Sequence, residues 1–226
     1  MNKSYAELYR RLNYSFKESV LLQRALTHRS KSSDNYERLE FLGDSVLGFV
    51  VSAELFTRYP DIPEGDLTRL RASLVKKQTL ALLARELELG DYLALGEGEL
   101  KSGGFNRDSI LADALEAVFG AICMDSSYDE ARRVILHLYS EMFARLNPYS
   151  IPKDPKTRLQ EYLQKHSLPT PIYQICEVTG EAHSQSFVVE CWVPGIDKTL
   201  RGEGTTRRNA EQQAAALALE LLDARK

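Results

Sequence analysis

The sequence predicts two domains: an all-α helical bundle over residues 1–146 and a small α+β domain of order α-β-β-β-α over residues 154–226. Three observations predict this. Up to residue 146, apolar side chains recur at three- and four-residue spacing, the period of amphipathic helices. Asn147-Pro-Tyr-Ser-Ile-Pro-Lys-Asp-Pro155 then places three prolines in nine residues, a stiff, extended composition that marks 147–153 as a linker. Beyond it the pattern switches to three short strand-like runs and closes on an alanine-rich helix.

In the first domain, Glu37, Glu40 and Asp44 fall at i, i+3 and i+7, one face of a helix, while Leu39, Leu42, Val46, Phe49 and Val50 recur on the other side. That helix ends near Tyr59, where Pro60 and Pro63 stop it. Leu67, Leu70, Leu74, Leu80, Leu83 and Leu87 predict one long helix over Leu67–Leu89. Gly90, Gly96, Gly98, Gly103 and Gly104 mark the loop region that follows. Asp108 or Ser109 is a suitable N-cap for the next helix, whose stretch Ile110–Gly120 is almost entirely apolar. In the second domain a short helix over Thr157–Lys165 precedes strands at Ile172–Val178, Ser186–Val193 and Lys198–Arg201. Turns at Gly180–His183 and Pro194-Gly195 separate the strands, and the last helix runs from about Thr206 to Leu222.

Composition excludes several classes. The 226 residues carry a net charge of −3, so nucleic-acid contact must come from local patches and not from bulk charge. Residues 154–226 hold 9 Lys and Arg against 10 Asp and Glu, so neither domain is basic. No run of about 18 apolar residues suggests a membrane partner, and the first residues lack the apolar core of a signal peptide. Cys123, Cys176 and Cys191 are widely spaced and form no zinc pattern. Cys176 and Cys191 could pair, but free thiols in a reducing cytoplasm are expected.

The acids carry the chemistry. Asp113 and Glu116 are the only charged residues between Ile110 and Met124, and an acid in so apolar a segment is costly unless something positive neutralises it. Glu40 and Asp44 are like charges at i, i+4, which disfavours a bare helix. Acids on one side of an amphipathic helix usually form a solvated face, which suits Glu37, Glu40 and Asp44 but not Asp113 and Glu116. A hard divalent cation held between the two helices accounts for both runs. An all-oxygen set of Glu40, Asp44, Asp113 and Glu116 suits Mg²⁺, with Mn²⁺ as a substitute, and not zinc. Such an ion can lower the pKa of a water and neutralise phosphoryl oxygens, which is metal-assisted phosphodiester hydrolysis. No P-loop, Gly-x-Ser-x-Gly or partnered histidine is present, and no small-molecule cofactor is expected. Lys101-Ser-Gly-Gly104 reads as a turn, and His28 as a packing histidine. Paired carboxylates could instead cleave a glycosidic bond, but no sugar-stacking aromatic stands near them.

Glu37-Arg-Leu-Glu-Phe-Leu-Gly-Asp-Ser45 and Asp113-Ala-Leu-Glu116-Ala resemble the two acidic motifs of ribonuclease III. Asp154 to Leu163, Gly180 to His183 and Gly202 to Gln212 resemble a double-stranded-RNA-binding domain, so the resemblance covers nearly the whole chain. It implies a Mg²⁺-dependent, homodimeric endoribonuclease that cuts double-stranded RNA to 5′-phosphate and 3′-hydroxyl ends with short 3′ overhangs. Substrates would include ribosomal RNA precursors and some messages. Glu40, Asp113 and Glu116 would ligate the metal, and Asp44 would join the same cluster, needed for the chemistry. Glu37 and Glu64 would help place RNA and the cleavage geometry. Phe41 would enter a pocket on a second copy of the chain; the alternative is an ordinary core aromatic.

Gln160, Glu161 and His183 would reach successive minor grooves of A-form RNA, whose wide minor groove displays 2′-hydroxyls. Arg207 and Arg208, at the start of the last helix, would grip phosphates between them; the alternative is plain surface charge. Glu211 stands where such domains often carry lysine, which implies weak binding with a shallow salt dependence. Arg69, Arg71, Lys76 and Lys77 are expected to be solvated, with some lining the RNA cleft. Two rival functions are open to this sequence: a double-stranded-RNA-binding protein that does not cut, and a phosphohydrolase of small nucleotides that would leave the second domain without a purpose.

Overall fold

Helix α1 (Ala6–Leu12) leads to α2 (Ser19–Ala25) through a loop held by Asp125, which accepts hydrogen bonds from the Tyr14 hydroxyl (2.6 Å) and the Lys17 and Glu18 backbone N–H groups (2.9 and 2.8 Å). The structure is a computed structural model that describes residues 4–148, 154–180 and 185–223. The long helix α3 (Glu37–Arg58) follows, then α4 (Glu64–Leu74), α5 (Lys77–Glu86), the short α6 (Glu97–Lys101), α7 (Asp108–Asp125), α8 (Tyr128–Leu138) and α9 (Ser140–Arg145). The core gathers around α7, whose residues Ile110 to Ile122 are buried on nearly every side. A helix apolar all round belongs at the centre of a bundle.

Helices α3 and α7 cross with their backbones in contact. A methyl group at Gly43 would overlap the Glu116 carbonyl, and one at Gly120 would overlap the Leu39 carbonyl. Only residues without Cβ permit this approach, which sets the acids of α3 beside those of α7.

Several expectations are corrected. Leu67–Leu89 is not one helix: Val75 and Lys76 leave helical geometry, with Lys76 extended, and split it into α4 and α5. The reason is phase. At 100° per residue, the six-residue interval from Leu74 to Leu80 puts the two leucines about 120° apart. A straight helix cannot turn Leu70 and Leu74 inward together with Leu80 and Leu83, yet all four are buried. The Thr79 hydroxyl satisfies the Ser73 carbonyl freed by the break (2.8 Å). Neither Asp108 nor Ser109 caps α7: Arg107 occupies the cap position without a side-chain bond, and Asp108 pairs with Arg85. The Arg85 guanidinium also donates to the Asn106 carbonyl (2.9 Å), so a clamp from α5 replaces the cap. Phe49 is not in the core but 62% exposed.

The chain divides into two units, Met1–Ile151 and Pro152–Lys226. In the second, Asp154 caps α10 (Pro155–Lys165) by accepting the Thr157 N–H at 3.1 Å, with Pro155 at the first helical position. Strands β1 (Ile172–Thr179), β2 (Ser186–Trp192) and β3 (Leu200–Gly204) form an antiparallel sheet in that order, with a bulge between Ile175 and Glu177. Helix α11 (Arg207–Asp223) packs its alanine face, Ala210, Ala214 and Ala218, on the sheet. The third strand therefore lies later than Lys198–Arg201. Lys198 and Thr199 carry no ladder bonds, because β2 pairs only from Leu200 to Gly204. Gly202 and Gly204 belong to that strand, where a Cβ at either would collide with the α11 backbone. Among the described residues no helix is long and apolar enough to cross a membrane. Cys123, Cys176 and Cys191 are free thiols.

Candidate active site

The α3–α7 crossing brings Glu40, Asp113 and Glu116 together. Each offers a carboxylate oxygen, and these oxygens lie within 4.8 Å of one another. All three are half-buried. Among the described residues none of them has a hydrogen bond or ion pair, although Lys77, His28 and Arg29 are near enough to draw the Asp113 pKa down against the rise from burial. Burial pushes Glu40 up, and Asp113, Glu37 and Asp44 add to it. Glu116 responds most: burial first, then the like charges of Asp44, Glu40 and Asp113, raise it to about 8. Three unneutralised, converging carboxylates disfavour their own ionisation. A divalent cation between them reverses that preference. The donor set is all oxygen and half-open to solvent, which fits a hard ion that keeps some of its waters.

Asp44 is exposed and stands outside the converging triad, yet close enough to act on both Glu40 and Glu116. Glu37 is also exposed, 3.6 Å from Arg29. Glu64 is not among these acids. It begins α4, accepts from the Thr68 hydroxyl (2.8 Å), and lines a separate apolar pocket with Phe49, Phe56 and Arg71. Phe41 is 78% exposed and Phe56 73%. With Phe49 they form one stripe on the outer face of α3, so Phe41 is not a core aromatic.

An open pocket of about 460 Å³ beside the triad is walled by residues whose sequence pattern carried no signal: Arg29, Ser30, Glu99 and Arg107. His28 shares this wall. It is buried, its ring edge meets Tyr36 at 5.7 Å between centroids, and its Nδ1 accepts from the Ser30 backbone N–H at 3.1 Å. The Ser30 hydroxyl accepts from the Gly96 N–H (2.9 Å), joining the two loops that flank the acids. Neighbours from segments so far apart in the chain leave no periodic trace. Of the four cations 69, 71, 76 and 77, Lys77 is the one that acts on Asp113 and Glu116. Arg69 pairs with Asp66, and Arg71 donates to the Ser52 hydroxyl at 3.3 Å.

In the second unit Gln160 and Glu161 lie exposed on α10, and Arg207 and Arg208 are exposed in the first turn of α11. His183 lies outside the described residues. Thr206 caps α11 by accepting the Asn209 N–H at 3.1 Å. Glu211 is 8% exposed, with Lys156 and Arg207 as its ion-pair partners. Burial alone would raise its carboxyl; the bonds from Lys156 and Arg207 prevail and hold it below the usual carboxylate range.

Residues 18–142 match the family model described as Ribonuclease-III-like, and residues 155–222 match the double-stranded RNA binding motif. The chain belongs to the ribonuclease III family. A protein named Ribonuclease 3 from Vibrio parahaemolyticus is 54% identical over 98% of this chain and 99% of its own length. Another from Pasteurella multocida is 51% identical over 99% of each. Among solved structures, the nuclease domain of ribonuclease III from Campylobacter jejuni superposes with a TM-score of 0.62. It is 42% identical and covers 64% of this chain and 99% of that one. A second structure of that domain, described by its flexibility in a region involved in dimer formation, has a TM-score of 0.61 at 44% identity. For this ribonuclease III family member, the acid triad falls inside the first matched segment, and the second covers most of the α+β unit.

Proposed function

We propose that the chain is an endoribonuclease of double-stranded RNA whose reaction centre is the α3–α7 acid cluster. The observation that carries this reading is the convergence of Glu40, Asp113 and Glu116, three carboxylates that form no ion pair among the described residues. Their roles follow from their placement. The triad would hold a divalent ion, with Mg²⁺ the expected one and Mn²⁺ able to replace it. When bound, that ion supplies positive charge for the scissile phosphate's oxygens and lowers the pKa of an attacking water. Asp44, exposed at the rim, orients and accepts a proton from a water approaching the phosphate. Lys77 and Arg29 offset the cluster's negative charge so that an RNA backbone can approach. Glu37, beside Arg29, positions the strand at the pocket's mouth. Water attack at phosphorus with cleavage of the P–O3′ bond, the departing 3′-oxygen taking up a proton, gives 5′-phosphate and 3′-hydroxyl ends.

Two copies act together in this reading. The exposed stripe of Phe41, Phe49 and Phe56 is an apolar face of the kind that marks an interface, and Glu64 lies on its edge. Phe41 is the dimer contact, and two centres cutting opposite strands leave short 3′ overhangs. The C-terminal unit reads duplex shape through Gln160, Glu161 and His183, with Arg207 and Arg208 on phosphates. Structured RNA precursors in the cytoplasm, ribosomal ones included, are the expected substrates.

Glu116→Gln tests the centre. It should abolish cleavage of a long perfect RNA duplex in Mg²⁺ and leave binding in Ca²⁺ nearly intact. Undiminished cutting by this variant would sink the assignment. Duplex binding by the native protein without cutting in any divalent metal would return the chain to the class of non-cleaving binders.

A further inference from the structure

We infer that Glu211 is a positioning residue that sets how strongly the C-terminal unit binds RNA, by neutralising and holding Lys156 and Arg207. The inference rests on the reading that this unit meets phosphates with the first turn of α11.

Glu211 is an unusual place for an acid. It lies on α11 one turn after Arg207, with its side chain 10% exposed. Its Oε1 accepts the Arg207 Nε–H at 2.8 Å, and its Oε2 accepts from Lys156 Nζ at 2.5 Å. Lys156 is held a second way, with Nζ 4.6 Å from the centre of the Tyr173 ring. Two cations that could face a phosphate therefore share one buried carboxylate. The trio presents one net positive charge where Lys156 and Arg207 alone would present two.

A purely structural account of Glu211 is weak, because its neighbour already joins the helices. The Gln212 side chain donates to Asp154 at 2.8 Å and accepts the Lys156 backbone N–H at 3.0 Å. That neutral staple ties α11 to the start of α10 without altering the charge of the face. The Glu211 charge is additional to it, and its effect falls on the two cations. Bonding Arg207 through Nε also fixes the direction in which the remainder of its guanidinium points, so the attenuation comes with a fixed geometry.

The consequence is measurable through salt. Each phosphate neutralised by a protein cation releases counterions and contributes about 0.9 to the slope of log affinity against log salt concentration. Glu211→Gln keeps the shape and an acceptor oxygen but restores one positive charge. Its slope should be steeper by about 0.9, so its advantage over the native protein should shrink about 3.5-fold between about 50 and 200 mM salt. Lys156→Gln, with one cation fewer, should have a slope shallower by a similar amount. The double variant Lys156→Gln/Glu211→Gln restores the native net charge and should return near the native slope.

The experiment is a salt titration of the full chain on a short perfect RNA duplex, with Ca²⁺ in place of Mg²⁺ to prevent cutting, beside thermal melting of each variant. Tighter binding with a steeper slope for Glu211→Gln, and a near-native slope for the double variant, is the expected result. An unchanged slope for Glu211→Gln, or weaker binding at unchanged melting temperature, overturns the inference. Should Glu211→Gln fail to fold, the Lys156→Gln slope decides: a native slope overturns it. Arg208→Ala separates the two levels. If it binds duplex as the native protein does at every salt concentration, the phosphate-binding face itself has been misassigned and the inference falls with it. If it weakens binding while Glu211→Gln leaves the slope unchanged, only the inference falls.

Discussion

Glu116→Gln should stabilise the metal-free protein increasingly as pH rises, in addition to its effect on cleavage. Burial and the neighbouring acids lift the Glu116 pKa from its ordinary 4.5 to about 8. A folded-state value above the unfolded one means that the fold prefers the protonated carboxyl. Its contribution is fully present below about pH 4.5 and is lost as pH climbs through about 8. The gap corresponds to at most about 5 kcal/mol. The acids of the cluster share protons, and the site is partly wet, so a loss of about 2 kcal/mol between pH 5 and 8.5 is expected. For a unit of this size that is about 4–8 °C in melting temperature. The assay is thermal melting of native protein and variant in EDTA across that range. The native curve should fall away from that of Glu116→Gln as pH rises. Mg²⁺ at pH 8.5 should then stabilise the native protein by about 2.7 kcal/mol at a hundredfold excess over Kd, seen as a higher melting point, and leave the variant nearly unmoved. Parallel pH profiles in EDTA, or a variant that melts lower at every pH, would refute the argument.

Other outcomes follow from single contacts. Gly43→Ala drives a methyl into the Glu116 carbonyl, so it should cost about 1–3 kcal/mol by overpacking and lower cleavage more than duplex binding, read by melting and kcat. Asp125→Ala removes the acceptor for the Tyr14 hydroxyl and two N–H groups; charge-assisted bonds of this kind support a loss of about 2–4 kcal/mol, visible in urea titration of the nuclease unit. Asp154→Ala loses the α10 cap and the Gln212 bond, with an expected loss of about 1–2 kcal/mol confined to amide exchange in the C-terminal unit. Phe41→Asp places a charge on the exposed α3 stripe and should shift sedimentation toward a monomer at micromolar concentration, with a folded circular dichroism spectrum.

Local pattern made much of this protein legible. The switch of apolar period near residue 154 separated the helical bundle from the α+β unit, because each side of the linker repeats its own backbone geometry. Glu37, Glu40 and Asp44 could be placed on one helix face, and Asp113 and Glu116 recognised as misplaced in an apolar helix, since both statements depend only on neighbours within two turns. The break at Val75-Lys76 was less legible, though its signal was present. The leucines keep their spacing but change phase, and phase matters only once a core fixes which side is inward. The tertiary structure alone decided the rest. Asp44 and the triad look equivalent along the chain, but the backbone contact at Gly43 and Gly120 carries Glu40 inward and leaves Asp44 at the rim. Arg29 and Ser30 come to the pocket from one loop, Glu99 from α6 and Arg107 from the entry to α7, and Glu211 meets Lys156 only when α10 packs on α11. Spacing within a helix is fixed by its 3.6-residue turn, whereas the distance between two helices is fixed by what their side chains, or the lack of them, allow.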